Sequence, residues 1–251
     1  MRFFIGLVLA LALGVMGCSD ASGTGGTGGD GGIGGDGGDG GAGGLATALL
    51  QVTVVSWEPP PHEEMPLEGV TVCQLDVDNC VVTDASGVAT LVLPADQETG
   101  FTKDKEGYGS WLIATVVSAP GEFRTTIMPT AQHLKDMHEG VMSPYPMTGT
   151  GTVSASAGPG ATFELVGATG NLWYFSEEWT WRSDLTATTS VGMGGFTEVA
   201  PGEVQIRVDK GADQCVPFAS DGWPGDDINL IRLPVREGYL THGQFNCVPL
   251  P

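Results

Sequence analysis

The residues best equipped for chemistry in this sequence are few and clustered. From Asn171 to Arg182 the chain reads Asn-Leu-Trp-Tyr-Phe-Ser-Glu-Glu-Trp-Thr-Trp-Arg, which brings Trp173, Tyr174, Phe175, Trp179 and Trp181 close together. Alternate residues of a strand face opposite sides. Trp173, Phe175, Trp179 and Trp181 therefore share one parity and Tyr174 takes the other, with Glu177-Glu178 expected to interrupt the ladder as a turn. Two outcomes are open. In one, Trp173 and Phe175 fill the core while Trp179 and Trp181 cover its end. In the other, Trp179 and Trp181 form an exposed platform for a sugar or a partner's apolar patch, and Glu177, Glu178 and Arg182 supply hydrogen bonds. Aromatics beside a few polar groups are what interfaces concentrate.

Hard oxygens gather in two short stretches, Asp76, Asp78 and Asn79, and Asp221, Asp226 and Asp227. They are the donors that Ca2+ takes. Neither stretch has EF-hand spacing, and solvated acidic turns are the simpler reading, so weak structural calcium is the one cofactor considered. The chain has no Gly-x-Ser-x-Gly, no Gly-x-x-x-x-Gly-Lys and no Cys-x-x-Cys. His133 and His138 are five apart and do not share a helical face. His62 and His242 stand in no triad pattern. The chain is expected not to be an enzyme; an accessory hydrolase using a pair of acids is the remote alternative.

The cysteines carry more information. There are five, Cys18, Cys73, Cys80, Cys215 and Cys247, an odd number for an exported chain. Cys18 closes an apolar run, Phe3 to Gly17, that follows Arg2 and contains no charge. That run is short of the roughly 20 apolar residues that span a bilayer, and it has the length and flanks of a secretory signal. Small Gly17 before Cys18, with Ser19-Asp20 after it, resembles the bacterial lipoprotein signal. The resemblance implies cleavage before Cys18 and acylation of its sulfur and amine, so residues 1–17 are a signal peptide and the bilayer is a partner. More than one acyl chain is what stable anchoring takes. Ser19 after the cysteine implies the outer membrane, with the folded part periplasmic or surface-exposed. Removing Cys18 leaves four cysteines able to pair.

Residues 18–45 hold Gly-Gly-X triplets from Gly23 to Gly44. Glycine loses the most freedom on ordering and nothing here buries apolar surface, so a flexible linker is expected. Such a coil spans roughly 25–30 Å on average. The chain carries 30 Asp and Glu against 10 Lys and Arg, a net charge of −20. So acidic a surface repels phosphate backbones and argues against a nucleic-acid partner.

Residues 46–128 read as short strands: Leu50 to Val54, Val70 to Cys73, Cys80 to Thr83, Val88 to Leu93, Ser110 to Ser118 and Phe123 to Met128. Pro59-Pro60-Pro61 breaks the first ladder. Asp76 to Asn79 has turn composition, which sets Cys73 and Cys80 near one hairpin end. Short strands at this spacing indicate a sandwich. Thr130 caps a short helix, Ala131 to Glu139, stopped by Gly140, within a connector at 129–146. Residues 147–251 resume with strands at Gly149 to Ser156, Ala161 to Val166, Phe196 to Val199, Val204 to Val208, Asn229 to Val235 and Tyr239 to Cys247. Four cysteines allow three connectivities; Cys73–Cys80 with Cys215–Cys247 keeps each bridge within one module.

Gly69-Val70-Thr71-Val72, then Thr83-Asp84-Ala85-Ser86-Gly87, then Leu91-Val92-Leu93-Pro94, with Gly107-Tyr108 later, resembles the carboxypeptidase regulatory-like module. Gly194-Gly195-Phe196-Thr197-Glu198-Val199-Ala200-Pro201-Gly202 is similar to the same family's Gly-x-Phe-x-x-Val-x-Pro-Gly signature. The resemblance implies two transthyretin-like or Ig-like β-sandwiches, 46–128 and 147–251, and no catalytic residues. The expectation is an all-β, lipid-anchored protein with a non-catalytic interaction or structural role and an unknown protein or glycan partner; a carbohydrate-binding or adhesion module is the main alternative.

Overall fold

The computed structural model describes residues 46–58, 64–118, 121–218, 223–224 and 227–249. The expected signal peptide, Cys18, the expected Gly-rich linker, Pro59-Pro60-Pro61, His62, Asp221 and Asp226 lie outside the described residues.

The first half supplies β1 (Thr47–Trp57), β2 (Thr71–Gln74), β3 (Cys80–Val82), β4 (Val88–Pro94), β5 (Glu98–Asp104), β6 (Trp111–Val116) and β7 (Gly121–Pro129). Helix α1 (Ala131–Gly140) follows, and Thr130 caps it as expected, its side chain accepting from the His133 amide. The second half supplies β8 (Gly151–Ser156), β9 (Thr162–Val166), β10 (Asn171–Phe175), β11 (Trp181–Arg182), β12 (Met193–Val199), β13 (Gly202–Asp209), β14 (Asp213–Pro217), β15 (Trp223–Pro224), β16 (Leu230–Val235) and β17 (Leu240–Pro249). The chain is mostly β, as composition and alternation predict. Sequence reasoning left β5, β14 and β15 unassigned.

Three sheets form. A small one runs β4-β1-β7, a long central one β11-β10-β12-β8-β17-β6-β5-β2-β3, with β14 also on β17, and a third β15-β16-β13-β9. The expected boundary at 129–146 does not interrupt the central sheet. β17 lies between β6 and β8, parallel to both, with Leu240 opposite Trp111 and Thr152. Two sets of strands that the sequence assigns to separate sandwiches therefore share one hydrogen-bonded ladder. Ion pairs add to the joint: Arg236 meets Asp76, and Arg232 meets Glu98 at 2.5 Å.

Each face of the central sheet buries a core. Leu50, Val52 and Val54 of β1 and Leu91 and Leu93 of β4 pack with Phe101, Trp111, Trp173, Phe175 and Trp181, and with Leu134 and Met137 of α1. Tyr174, Val153, Ala155 and Phe196 pack with Phe163, Ile206, Val208, Ile231 and Leu233. β10 shows the division in three residues: Trp173 and Phe175 enter the first core and Tyr174 the second, as strand alternation requires. Gly194 and Gly195 of β12 make this possible. A Cβ on Gly195 would sit 2.1 Å from the Val153 carbonyl oxygen and 2.8 Å from the Trp173 ring; one on Gly194 would sit 2.5 Å from the Tyr174 ring.

Both disulfides are the expected ones. Cys73 and Cys80 are cross-strand partners of β2 and β3, and Cys215 and Cys247 of β14 and β17.

Candidate functional site

The aromatic stretch divides at its turn. β10 and β11 pair through Phe175 opposite Trp181, and Ser176 to Thr180 makes the loop. The Ser176 amide donates to the Thr180 carbonyl at 2.8 Å, and the Trp179 amide to the Ser176 carbonyl at 3.1 Å. Ser176 Oγ accepts from the Glu178 amide at 3.2 Å. In such tight loops the residue that closes the turn takes a left-handed conformation, and glycine is usual there. Here it is Trp179, with φ of +61°. That conformation costs a bulky residue about 1–2 kcal/mol.

The platform of Trp179 with Trp181 is not formed. Trp181 is 1% exposed and stacks on Trp173 at 4.0 Å between centroids, 11° from parallel. The bend at Trp179 breaks the parity that would have set the two rings side by side, and pairing to Phe175 turns Trp181 inward. The core outcome holds for Trp173, Phe175 and Trp181. Trp179 is only half-buried and lies against Trp57 at 5.9 Å and Phe175 at 6.0 Å. Trp57 in turn meets the His133 ring edge-on at 4.9 Å. Burial holds the His133 pKa below its usual value, opposed by Asp136 and Glu58. The result is an aromatic shelf of Trp57, Trp179 and His133. Trp57 and His133 come from the other half of the chain, and nothing in their sequence surroundings marks them.

Glu177, Glu178 and Arg182 do gather, in a shallow polar cleft with Ser176, Leu185 and Thr189. Arg182 is engaged there by Asp184, Nε to Oδ1 at 2.8 Å and Nη2 to Oδ2 at 2.6 Å. This pairing raises the Arg182 pKa and lowers that of Asp184. Behind the shelf lies a cavity of about 40 Å³ lined by Trp57, Trp111, Trp173, Phe175 and Trp181 among others. It has room for a few waters at most and none for a sugar ring. The indole nitrogens of Trp173 and Trp181 are buried and find no hydrogen-bond partner among the described residues.

Of the two calcium stretches, Asp76, Asp78 and Asn79 lie among the described residues, and Asp221 and Asp226 do not. Asp76 has φ of +63° and pairs with Arg236. Asn79 spends its amide nitrogen on Gln74 Oε1 at 3.0 Å and the Val92 carbonyl at 2.8 Å. Among the described residues no three His, Cys, Asp or Glu side chains are grouped to hold a metal. Asp227 is exposed.

Sequence reasoning missed two polar sites. His242 bridges Ser154, at 2.8 Å from Nδ1, and Ser156, at 3.3 Å from Nε2. Register places His242 opposite Ser154, a neighbourhood only the tertiary pairing creates. Ser154 is 2% exposed, so its hydroxyl is sealed from any substrate larger than water. Lys103 is fully buried. Its Nζ donates to Thr126 Oγ1 and to the Ile127 carbonyl at 2.9 Å, and lies 5.1 Å from the centroid of the Trp111 ring.

No family model and no curated protein matches the chain. Among solved structures it is similar to the minor pilin of Streptococcus agalactiae, at 13% identity over 81% of this chain and 98% of that one, with a TM-score of 0.26. It is also similar to the shaft pilin SpaA of Lactobacillus rhamnosus GG, at 11% identity over 82% and 100%, TM-score 0.23. The Bacillus anthracis TIE protein matches at 14% identity over 80% and 34%, TM-score 0.25. Scores this low do not superpose one architecture on another.

Proposed function

We propose that this chain is a lipid-anchored extracytoplasmic protein, held by acylated Cys18 in the outer membrane, with a non-catalytic interaction or structural role. Cysteine arithmetic carries the reading. Of five cysteines, four close Cys73–Cys80 and Cys215–Cys247, bridges that persist in oxidising compartments. Cys18 is left without an intrachain partner and stands where a lipoprotein signal would place it. The decisive experiment is metabolic labelling with a tagged palmitate. Wild-type protein takes up label and partitions into detergent, and Cys18→Ser accumulates as unlabelled precursor. Equal labelling of the variant overturns the anchor.

The folded part is read as two diverged carboxypeptidase regulatory-like modules joined through β17. What supports it is that Thr83-Asp84-Ala85-Ser86-Gly87 forms a turn, with Asp84 Oδ1 accepting from the Ser86 amide at 2.9 Å and the Val88 amide at 3.0 Å.

A second reading, adhesion to a glycan, is favoured by one observation: Trp179 stands where glycine would be less strained. Conformational strain concentrates at functional positions. On a glycan array, wild-type protein gives saturable signals that Trp179→Ala loses without unfolding; identical arrays for the two proteins end this reading.

A further inference from the structure

The small sheet β4-β1-β7 covers the first core with one face and turns the other outward. Alternation buries Leu50, Val52, Leu91 and Leu93 and leaves every second residue on the outer side. Those outward positions, from Thr47 to Thr53 on β1, Val88 to Pro94 on β4 and Gly121 to Thr125 on β7, include no Asp, Glu, Lys or Arg. Glu122 and Arg124 of β7 stand instead in register with buried Leu50 and Val52, and pair with each other. The chain has 30 Asp and Glu, and this sheet face escapes them all. Its apolar residues gather toward one end. Leu49 lies between Val92 and Gly121, and Phe123 is in register with Gln51 on the next outward row. Leu49 is 51% exposed, Val92 46% and Phe123 78%. The folded part begins at that same end. The Ala46 carbonyl accepts from the Ala95 amide at 2.8 Å, and Leu49 follows ~10 Å along the strand.

We propose that this face docks on a zwitterionic lipid surface, with Leu49, Val92 and Phe123 entering the headgroup layer. The inference rests on the acylated Cys18 of the proposed function and adds an orientation to it. With the anchor at Cys18, the start of β1 is the part of the fold nearest the bilayer along the chain. Three side chains are too few to hold a free protein on a membrane. A tethered one meets the surface at an effective concentration of about millimolar, so weak contacts are enough to choose which face turns down. Desolvating a carboxylate at a lipid surface is costly, and no outward residue of this face carries one. Asp96, just past β4, is exposed, so a zwitterionic surface suits this rim better than an anionic one. A second copy is the poorer occupant, because two chains of net charge −20 repel each other.

The probe is Phe123→Trp in the full acylated chain, reconstituted in phosphatidylcholine vesicles whose acyl chains are brominated near the headgroup. Flotation with the vesicles reads the anchor, and quenching of the added tryptophan emission reads the face. Apolar groups at an interface settle ~5–10 Å into the headgroup–acyl boundary, so the emission that Phe123→Trp adds should fall at least about twofold. Val216→Trp, at an exposed position of β14 next to Cys215 of the second core, should lose none. Phe123→Trp combined with Leu49→Asp and Val92→Asp should lose none either. Should the aspartates disturb the fold, the two single tryptophan variants decide. Protein that does not float overturns the anchor and the docking with it. Protein that floats without quenching overturns the docking alone, as does equal quenching in Val216→Trp or quenching that survives both aspartates. Emission that ignores bromine but changes with protein concentration assigns the face to a second copy and refutes the bilayer.

Discussion

The two faces of the central sheet are built to different standards. The face toward β9, β13 and β16 packs aliphatic residues with Phe163, Phe196 and Phe245, and its buried phenol, Tyr174, accepts from the Phe163 amide at 3.1 Å. The face toward β1, β4, β7 and α1 carries the stacked tryptophans with unpartnered indole nitrogens, the cavity, buried His138 and buried Lys103. Buried polar groups cost stability unless well partnered. Both faces hold the fold, and the one toward β1 also carries polar costs that packing alone does not require.

The largest expected effect tests whether the two faces are one cooperative body. Gly195→Ala forces a methyl group against the Val153 carbonyl and the Trp173 ring and disturbs the sheet that both cores share. We expect a loss of several kcal/mol, because overpacking adds to backbone displacement. Urea unfolding followed by tryptophan fluorescence and by far-UV circular dichroism should shift together. Two separated transitions in this variant would mean that the halves unfold independently.

Next come the cores themselves. Trp181→Ala should cost about 3–5 kcal/mol and Ile206→Ala about 2–5 kcal/mol, each lowering the same single melting transition. A Trp181→Ala protein that melts as the wild type does would remove that ring from the core.

The polar residues of the aromatic face give a smaller and pH-dependent effect. His138 is fully buried beside Trp181 and Tyr145, and burial pushes its pKa down to about 4, opposed by a backbone contact at Pro144. The unfolded chain, with a pKa near 6.5, then binds more protons than the folded one between those values. Stability is full above pH 6.5 and falls as pH drops toward 4, by up to about 3 kcal/mol. His133 is shifted in the same direction by burial. Thermal melts of wild type and His138→Gln across pH 7 to 4 isolate the His138 share; parallel pH profiles would assign the loss to other groups. The smallest effect belongs to Trp179→Gly. Relief of the left-handed strain offsets the lost ring contacts, each worth about 0.5–1.5 kcal/mol, so stability should change by no more than about 1 kcal/mol in chemical denaturation. A loss of several kcal/mol would make Trp179 a core residue and close the shelf.

How much of this was legible depended on where polar residues went. β1, β4, β13 and β16 alternate or run apolar, and composition alone marks them. β5 reads Glu-Thr-Gly-Phe-Thr-Lys-Asp, with no apolar period, yet Thr99, Thr102 and Lys103 are buried because β2 and β6 flank it and β7 covers it. No window of sequence contains that information. The pairing of Cys73 with Cys80 followed from a local turn, and that of Cys215 with Cys247 from economy of modules, though β14 itself went unrecognised. The Trp181 platform failed on one backbone angle, since an aromatic at φ of +61° is invisible to a parity count. The shelf depends on rings that β1, α1 and the Ser176–Thr180 loop supply from far apart in sequence.

The position of β17 also sets the order in which the molecule can be made. β6 and β8 are far apart in the chain, and each lacks its second neighbour until residues 240–249 arrive. Contacts so distant in sequence form late and slowly. Until then the first half presents β6 as a bare edge, a template for pairing with other chains. Completion of the central sheet therefore waits for β17. A chain stalled before Leu240 would be expected to aggregate or be degraded rather than persist as a working half.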